Sequence, residues 1–373
     1  MKVEQLLFTP AQEWCPHHGS LAGVAPQFVL VFGERALLTA PNLAGLRARF
    51  PSARLVCCST AGEIVGTEVH VGSLTATAVA FERSEVRCLS TTIAQPSDSR
   101  ACGAHLGREL ARPDLAHVFV LCDGAITNGS EFVAGLVAHL PAAVKVTGGL
   151  AGDGDRFEKT LVGLDELPTD GRIVALGFYG TQLRVHYGCE GGWSSFGPER
   201  IVTRSVGNQL FELDGRSALD LYKSYLGDQA RGLPGTAFRF PLSVHPIGAA
   251  APVVRTILSI DDAAPSMTFA GDIPMGARVR FMRASYEDII DGAARAATAA
   301  RGDEPELVLC VSCIGRRIVL GQRTEEETEL VRDAVGTRSV ITGFYSYGEL
   351  APQGDGACQL HNQTMTITSL SEA

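Results

Sequence analysis

Apolar residues fall along this chain in short runs broken by glycine-rich turns, and one order of runs occurs three times. Phe28-Val-Leu-Val-Phe32, Val118-Phe-Val-Leu-Cys122 and Leu307-Val-Leu-Cys-Val311 are short, apolar and β-branched or aromatic, which reads as buried strands. Each precedes a helical stretch, near Leu43 to Phe50, Gly129 to Leu140 and Thr324 to Val335. Asn128 is placed to cap the second helix, and Thr324-Glu-Glu-Glu327 reads as a capping box opening the third. Second strands follow at Leu55 to Cys58, Val144 to Thr147 and Val340 to Thr342. Each runs into a glycine turn that ends in an acid: Glu63, Asp153 or Glu349. Glycine tolerates φ > 0 and lets another group approach the backbone, so these turns are candidate ligand cradles. Recurrence of the whole order points to one supersecondary piece used three times.

Alternating segments follow the turns, at Ser73 to Phe81, Arg172 to Tyr179 and Gln359 to Thr368, and period two means strands with one face on a core. The expected fold is α/β: two domains with mixed β-sheets covered by helices, built from repeated strand-helix-strand-turn-strand units and compatible with four-layer α-β-β-α packing. Gly188 to Pro198 reads as a long glycine-rich loop and places the boundary, giving domains over 20–190 and 191–373. Beyond it, a helix opens at Asp214 or Ser217, and Tyr286 to Arg301 forms an alanine-rich amphipathic helix.

Composition narrows the functional classes. The 373 residues, 45% hydrophobic and 20% charged, describe a globular chain. A net charge of −9 disfavours nucleic acid and anionic membrane as partners. No apolar run approaches the ~20 residues that span a bilayer, and the first residues do not read as a signal peptide. A cytoplasmic location is expected. Of ten cysteines, Cys57, Cys58, Cys122, Cys310 and Cys313 lie in apolar strand runs, as buried reduced thiols do. Cys122-Asp123 and Cys58-Ser59 have no histidine tied to them by spacing, so nucleophilic catalysis lacks its base, and the chain is not expected to be an enzyme.

The segments Cys58-Ser-Thr-Ala-Gly-Glu-Ile64, Thr147-Gly-Gly-Leu-Ala-Gly-Asp153, Glu212-Leu-Asp-Gly-Arg-Ser-Ala-Leu-Asp-Leu-Tyr222, Gly343-Phe-Tyr-Ser-Tyr-Gly-Glu349 and Leu360-His-Asn-Gln-Thr364 together resemble the FIST family, with its N-terminal and C-terminal FIST domains. That resemblance implies a sensory ligand-binding protein. One branch of the family is described as haem-binding nitric-oxide sensors; amino acids and other metabolites are suggested ligands elsewhere. With no output segment of its own, the chain would signal through a separate histidine kinase or cyclic-di-GMP enzyme, and a homodimer is compatible with it. If haem b is bound, His361 is the first candidate for the iron and His186 the second. Tyr345, Tyr347 and Trp193 would supply stacking and polar handles. Glu63, Asp153, Glu349 and Asn362 would face the ligand or brace the turns. The third turn, richest in side-chain chemistry, is expected to be the site and the other two its structural echoes.

Overall fold

A computed structural model describes residues 1–249, 251–352, 356 and 358–373. The first third runs β1 (Lys2–Thr9), β2 (Gln12–Gly19), β3 (Phe28–Gly33), α1 (Ala40–Arg49), β4 (Arg54–Ser59), β5 (Glu63–Val65), β6 (Glu68–His70), β7 (Leu74–Ala80), β8 (Glu85–Thr92) and α2 (Ser99–Leu110). Next come β9 (Leu115–Cys122), α3 (Gly129–Val137), β10 (Lys145–Leu150), β11 (Val162–Leu164), β12 (Arg172–Tyr179) and β13 (Leu183–Glu190). A β-rich insert follows: β14 (Ser194–Val206), β15 (Gln209–Leu213), β16 (Arg216–Ser217), α4 (Ala218–Leu226), β17 (Leu242–His245), β18 (Val253–Arg255), β19 (Ile257–Asp261), β20 (Ser266–Phe269) and β21 (Arg278–Arg283). The chain closes with α5 (Tyr286–Ala300), β22 (Leu307–Cys313), α6 (Ile314–Leu320), α7 (Thr324–Val335), β23 (Val340–Ser346), β24 (Gly348–Pro352), β25 (Cys358–His361) and β26 (Met365–Glu372).

Three six-stranded mixed sheets, β11-β4-β3-β7-β1-β2, β25-β24-β10-β9-β12-β8 and β6-β5-β23-β22-β26-β13, share a central run of the second, first and third strands of a repeat: β4-β3-β7, β10-β9-β12 and β23-β22-β26. In each, one adjacent pair is parallel, β3 with β4, β9 with β10 and β22 with β23, and the repeat's helical segment joins its two strands. The strand after each glycine-acid turn leaves its own sheet for a neighbour's: β5 pairs with β23, β11 with β4, and β24 with β10. At the far end β8 passes the other way onto β12 and β13 onto β26, while the first strand, β1, takes the corresponding place on β7. The three repeats are therefore interlocked in a closed ring.

Alternation along the first strands explains the layering. Phe28, Leu30 and Phe32 share one inner core with Phe119, Leu121, Leu307, Leu309 and Val311. The intervening residues face outward under helices: Val29 and Val31 with α1, Val118 and Val120 with α2 and α3, Val308 and Cys310 with α5 and α7. Mixed sheets covered by helices are thus what the sequence pattern foretold. Strands of all three sheets contribute to one inner core. β5 and β6 lie in the sheet of β22, and β24 and β25 in the sheet of β9. The insert forms its own sheet, β18-β17-β21-β14-β15-β20-β19, around a separate core with α4.

Local signals succeed and fail for visible reasons. Asn128 caps α3, accepting from the Glu131 N–H at 3.1 Å, and Ser217 caps α4 through the Asp220 N–H. The capping box belongs instead to Ser285 and Asp288 at α5. Thr324 turns its hydroxyl back to the Gly321 carbonyl, and Glu327 is drawn inward to Arg316. The expected loop at Gly188 to Pro198 is mostly strand, since β13 reaches Glu190 and β14 begins at Ser194.

Candidate functional site

The three glycine-acid turns meet at one end of the ring and bond to one another through their backbones. The Ala61 N–H donates to the Tyr345 carbonyl at 2.8 Å, Gly152 to Ser59 at 2.9 Å, and Tyr347 to Leu150 at 3.2 Å. This circuit consumes amides that an open cradle would offer to a ligand. Gly152 is required by the approach, because a Cβ there would sit 2.6 Å from the Ala61 nitrogen.

The turn acids bond within this junction. Glu63 is buried and accepts from Thr60 Oγ1 at 2.5 Å and Ser73 Oγ at 2.6 Å. Glu349 is buried and accepts from Ser346 Oγ at 2.5 Å and Thr364 Oγ1 at 2.9 Å. Burial raises Glu63 to about 7 and Glu349 to about 8, against the hydroxyl hydrogen bonds that favour the anion. Asp153, in the turn without a hydroxyl at the corresponding place, pairs with Arg35 at 2.9 Å and Arg156 at 2.5 Å.

The remaining candidates scatter. Tyr345 is fully buried and donates to Glu327 Oε1 at 2.6 Å. His361 is buried, with Nε2 3.0 Å from the Ala351 carbonyl, and desolvation lowers its imidazole to about 4. Asn362 bonds its own neighbourhood, Nδ2 to the His361 carbonyl at 3.0 Å. Trp193 donates to the Gln363 carbonyl at 3.0 Å and packs beside α5 and α6. His186 lies exposed on β13, a strand of a different sheet from His361. Haem does not fit this arrangement: His361 would have to abandon its carbonyl to reach iron, and His186 cannot join it. The strand cysteines are buried free thiols, with Cys57 and Cys310 pushed up to about 12 by desolvation. Asp123 turns its carboxylate to the amides of Ala125, Ile126 and Gly171, so it organises a loop beside Cys122.

Tyr347 alone of these residues lines an open cavity. It leaves the strand at the third turn, where its hydroxyl accepts from the Phe157 N–H and donates to the Gly154 carbonyl, each at 3.1 Å. Its ring stacks on Phe157 with centroids 4.5 Å apart. The cavity, about 520 Å³, lies between the ring and the insert. One wall is the loop before α3 together with Leu150, Phe157, Tyr347 and Leu360; the other is Asn208, Phe269, Ala270, Gly271 and Asp272. Two contacts tie the walls. Asn128 Nδ2 lies 3.4 Å from both Asp272 carboxylate oxygens, and Arg255 in the insert donates to the Leu360 carbonyl at 2.9 Å. A larger groove, about 1020 Å³, opens where β1, β22 and β26 start or end; it holds none of the ligand or haem candidates named above.

Sequence reasoning missed Asp272, Phe157, Asn208 and Phe269. A faint signal existed for the first: Ala270-Gly-Asp272 repeats the Ala151-Gly-Asp153 of the second turn.

Three interlocked α/β sheets carrying a β-insert, with a cavity at their junction, define the architecture. A FIST N domain covers residues 27–216 and a FIST C domain residues 218–352, so the chain belongs to the FIST family. FIST domains are sensory domains that bind small molecules in signalling proteins. No curated protein shows significant sequence similarity to the chain. Among solved structures, one described as "cyanuic acid hydrolase from A. caulinodans" aligns over 78% of this chain and 99% of its own at 12% identity. Its TM-score of 0.18 lends that alignment no weight for fold or activity. Among the described residues, no helix is long and apolar enough to cross a membrane.

Proposed function

We propose that the protein is a small-molecule sensor whose ligand enters the cleft between the ring and the insert and whose output passes to a separate signalling protein, a histidine kinase or a cyclic-di-GMP enzyme. The observation that carries this reading is the cleft's two-sided construction. A ligand there touches the α3 loop and the third turn on one side and the β20 segment on the other. Occupancy therefore biases how the insert sits on the ring, which is what a conformational signal requires. The volume suits a metabolite. A non-haem metabolite is favoured over haem because no histidine or cysteine lines the cleft among the described residues.

Thermal-shift screening tests the reading. A true ligand gives a saturable rise in the unfolding midpoint, corresponding to about 2.7 kcal/mol at a hundredfold excess over Kd. Ala270→Trp, which fills the cleft from the insert side, abolishes that rise. A ligand whose effect survives Ala270→Trp binds elsewhere and overturns the assignment.

A further inference from the structure

We propose that the cleft selects a small organic cation, an ammonium or guanidinium group on a short apolar frame. This rests on the reading that the cleft is the ligand site and adds the charge of what it takes. Two carboxylates, Asp272 and Glu158, line the cavity, and no lysine, arginine or histidine does among the described residues. Asp272 has no cationic partner within ion-pair distance there; its contact is the neutral Asn128 amide at 3.4 Å. The apolar part of the lining includes Phe157, Tyr347 and Phe269, and aromatic faces attract cations through their quadrupole. Thr127 adds a buried hydroxyl on the same wall, 8% exposed, whose Oγ1 has no hydrogen-bond partner.

Three positive features stand nearby and do not reverse the sign. Arg35 lies 3.9 Å from Glu158 and outside the cavity lining, so the unpaired carboxylate is that of Asp272. The N-terminus of α3 is already served by the Asn128 cap and by Glu131 in its first turn. Arg255 lies behind the wall, under Gly271, where Nε donates to the Asp272 carbonyl and Nη1 to the carbonyls of Val254 and Leu360. It balances part of the acidity from behind and is not among the residues that line the cavity. What a ligand meets directly is Asp272, the largely exposed Glu158 and the aromatic side chains.

The test is titration calorimetry on the full chain with 1,4-diaminobutane and choline, against 1,4-butanediol and succinate of similar size. At least one cation should bind saturably, with neither control binding. Asp272→Asn should weaken that binding about tenfold or more, as loss of a charge-assisted contact does. Tyr347→Phe, which keeps the ring face, should retain it. Ala270→Trp should remove it. Unchanged thermal midpoints in the variants show that they fold. Failure of both cations overturns the inference, as does binding indifferent to Asp272→Asn. If succinate, butanediol or another screened compound binds instead, in a manner that Ala270→Trp blocks, the cation assignment falls and the cleft assignment stands. Binding of every compound that persists in Ala270→Trp overturns both.

Discussion

Arg316 and Glu327 form an ion pair with both side chains fully buried, Nη2 to Oε2 at 2.8 Å and Nε to Oε2 at 3.0 Å. Their remaining groups are met as well. Arg316 donates to the Ile289 carbonyl at 2.7 Å and the Gly191 carbonyl at 2.5 Å, while Glu327 accepts from Tyr345 and Ser312. One pair thus fastens α5, α6, α7 and two strands of the third repeat.

Breaking this pair from one side leaves a buried charge alone. Glu327→Ala is expected to lower unfolding free energy by about 3–5 kcal/mol, whereas Arg316→Met combined with Glu327→Leu recovers most of the loss. Urea unfolding of the three proteins measures both. A single variant that unfolds like the parent contradicts the account.

The buried turn acids give stability a defined pH dependence. Glu63 and Glu349 lie above their ordinary value of 4.5, at about 7 and about 8, because burial disfavours the charged form. The folded chain therefore holds these protons more tightly than the unfolded chain. Their contribution to stability is full below 4.5 and is lost as pH rises through 7 and then 8. Each carboxyl sets a slope of at most about 1.4 kcal/mol per pH unit inside its window. Glu349→Gln keeps the shape and removes the titration, so its urea midpoint should fall less steeply over the upper part of that range. A parallel profile would show that Glu349 is not the group responsible.

Contacts between turns are tested by one methyl group. Gly152→Ala puts a Cβ within 2.6 Å of the Ala61 nitrogen and 2.9 Å of the Thr60 carbonyl carbon, both main chain. A loss of about 1–3 kcal/mol is expected in chemical denaturation. Gly235→Ala meets nothing within 4 Å and should be close to neutral. Equal effects at the two positions would deny the turn circuit.

Much of the ring could be read along the chain, because strand and helix periodicities are local. The repeats, the α3 cap at Asn128 and the α4 cap at Ser217 all belong to that class. Strand exchange could not be read. β5 and β11 have three residues each and owe their existence to partners far away in sequence. The acids were misplaced for a similar reason. Their polarity was visible, but Ser73, Thr364 and Arg35 lie 10, 15 and 118 residues from the carboxylates they satisfy. Tyr345 and Tyr347 looked equivalent, and only the end of β23 at Ser346 sends one into the core and the other to the cleft.

Haem binding has its own expected outcome. Titration with haemin should give no stoichiometric Soret band that depends on His361 or His186. His361→Ala should instead cost about 1–3 kcal/mol, since the buried Ala351 carbonyl loses its partner. A one-to-one band abolished by His361→Ala would restore haem as the ligand.

Loss of the Tyr347 hydroxyl should be felt mainly in the loop that carries Phe157. Tyr347→Phe removes bonds to the Gly154 carbonyl and the Phe157 N–H, at a cost of about 0.5–1.5 kcal/mol, and leaves the stacked ring in place. Faster proteolysis near Phe157 with little change in ligand affinity is the expected signature. A collapse of affinity would mean that the hydroxyl itself holds the ligand.

Hydrogen exchange with and without a compound that raises the unfolding midpoint tests the central claim most directly. The two-sided cleft predicts simultaneous protection of amides in residues 127–131 on the ring and 269–272 on the insert. Protection confined to the groove around residues 301–306 and 336–340, or absent from the insert, would contradict it.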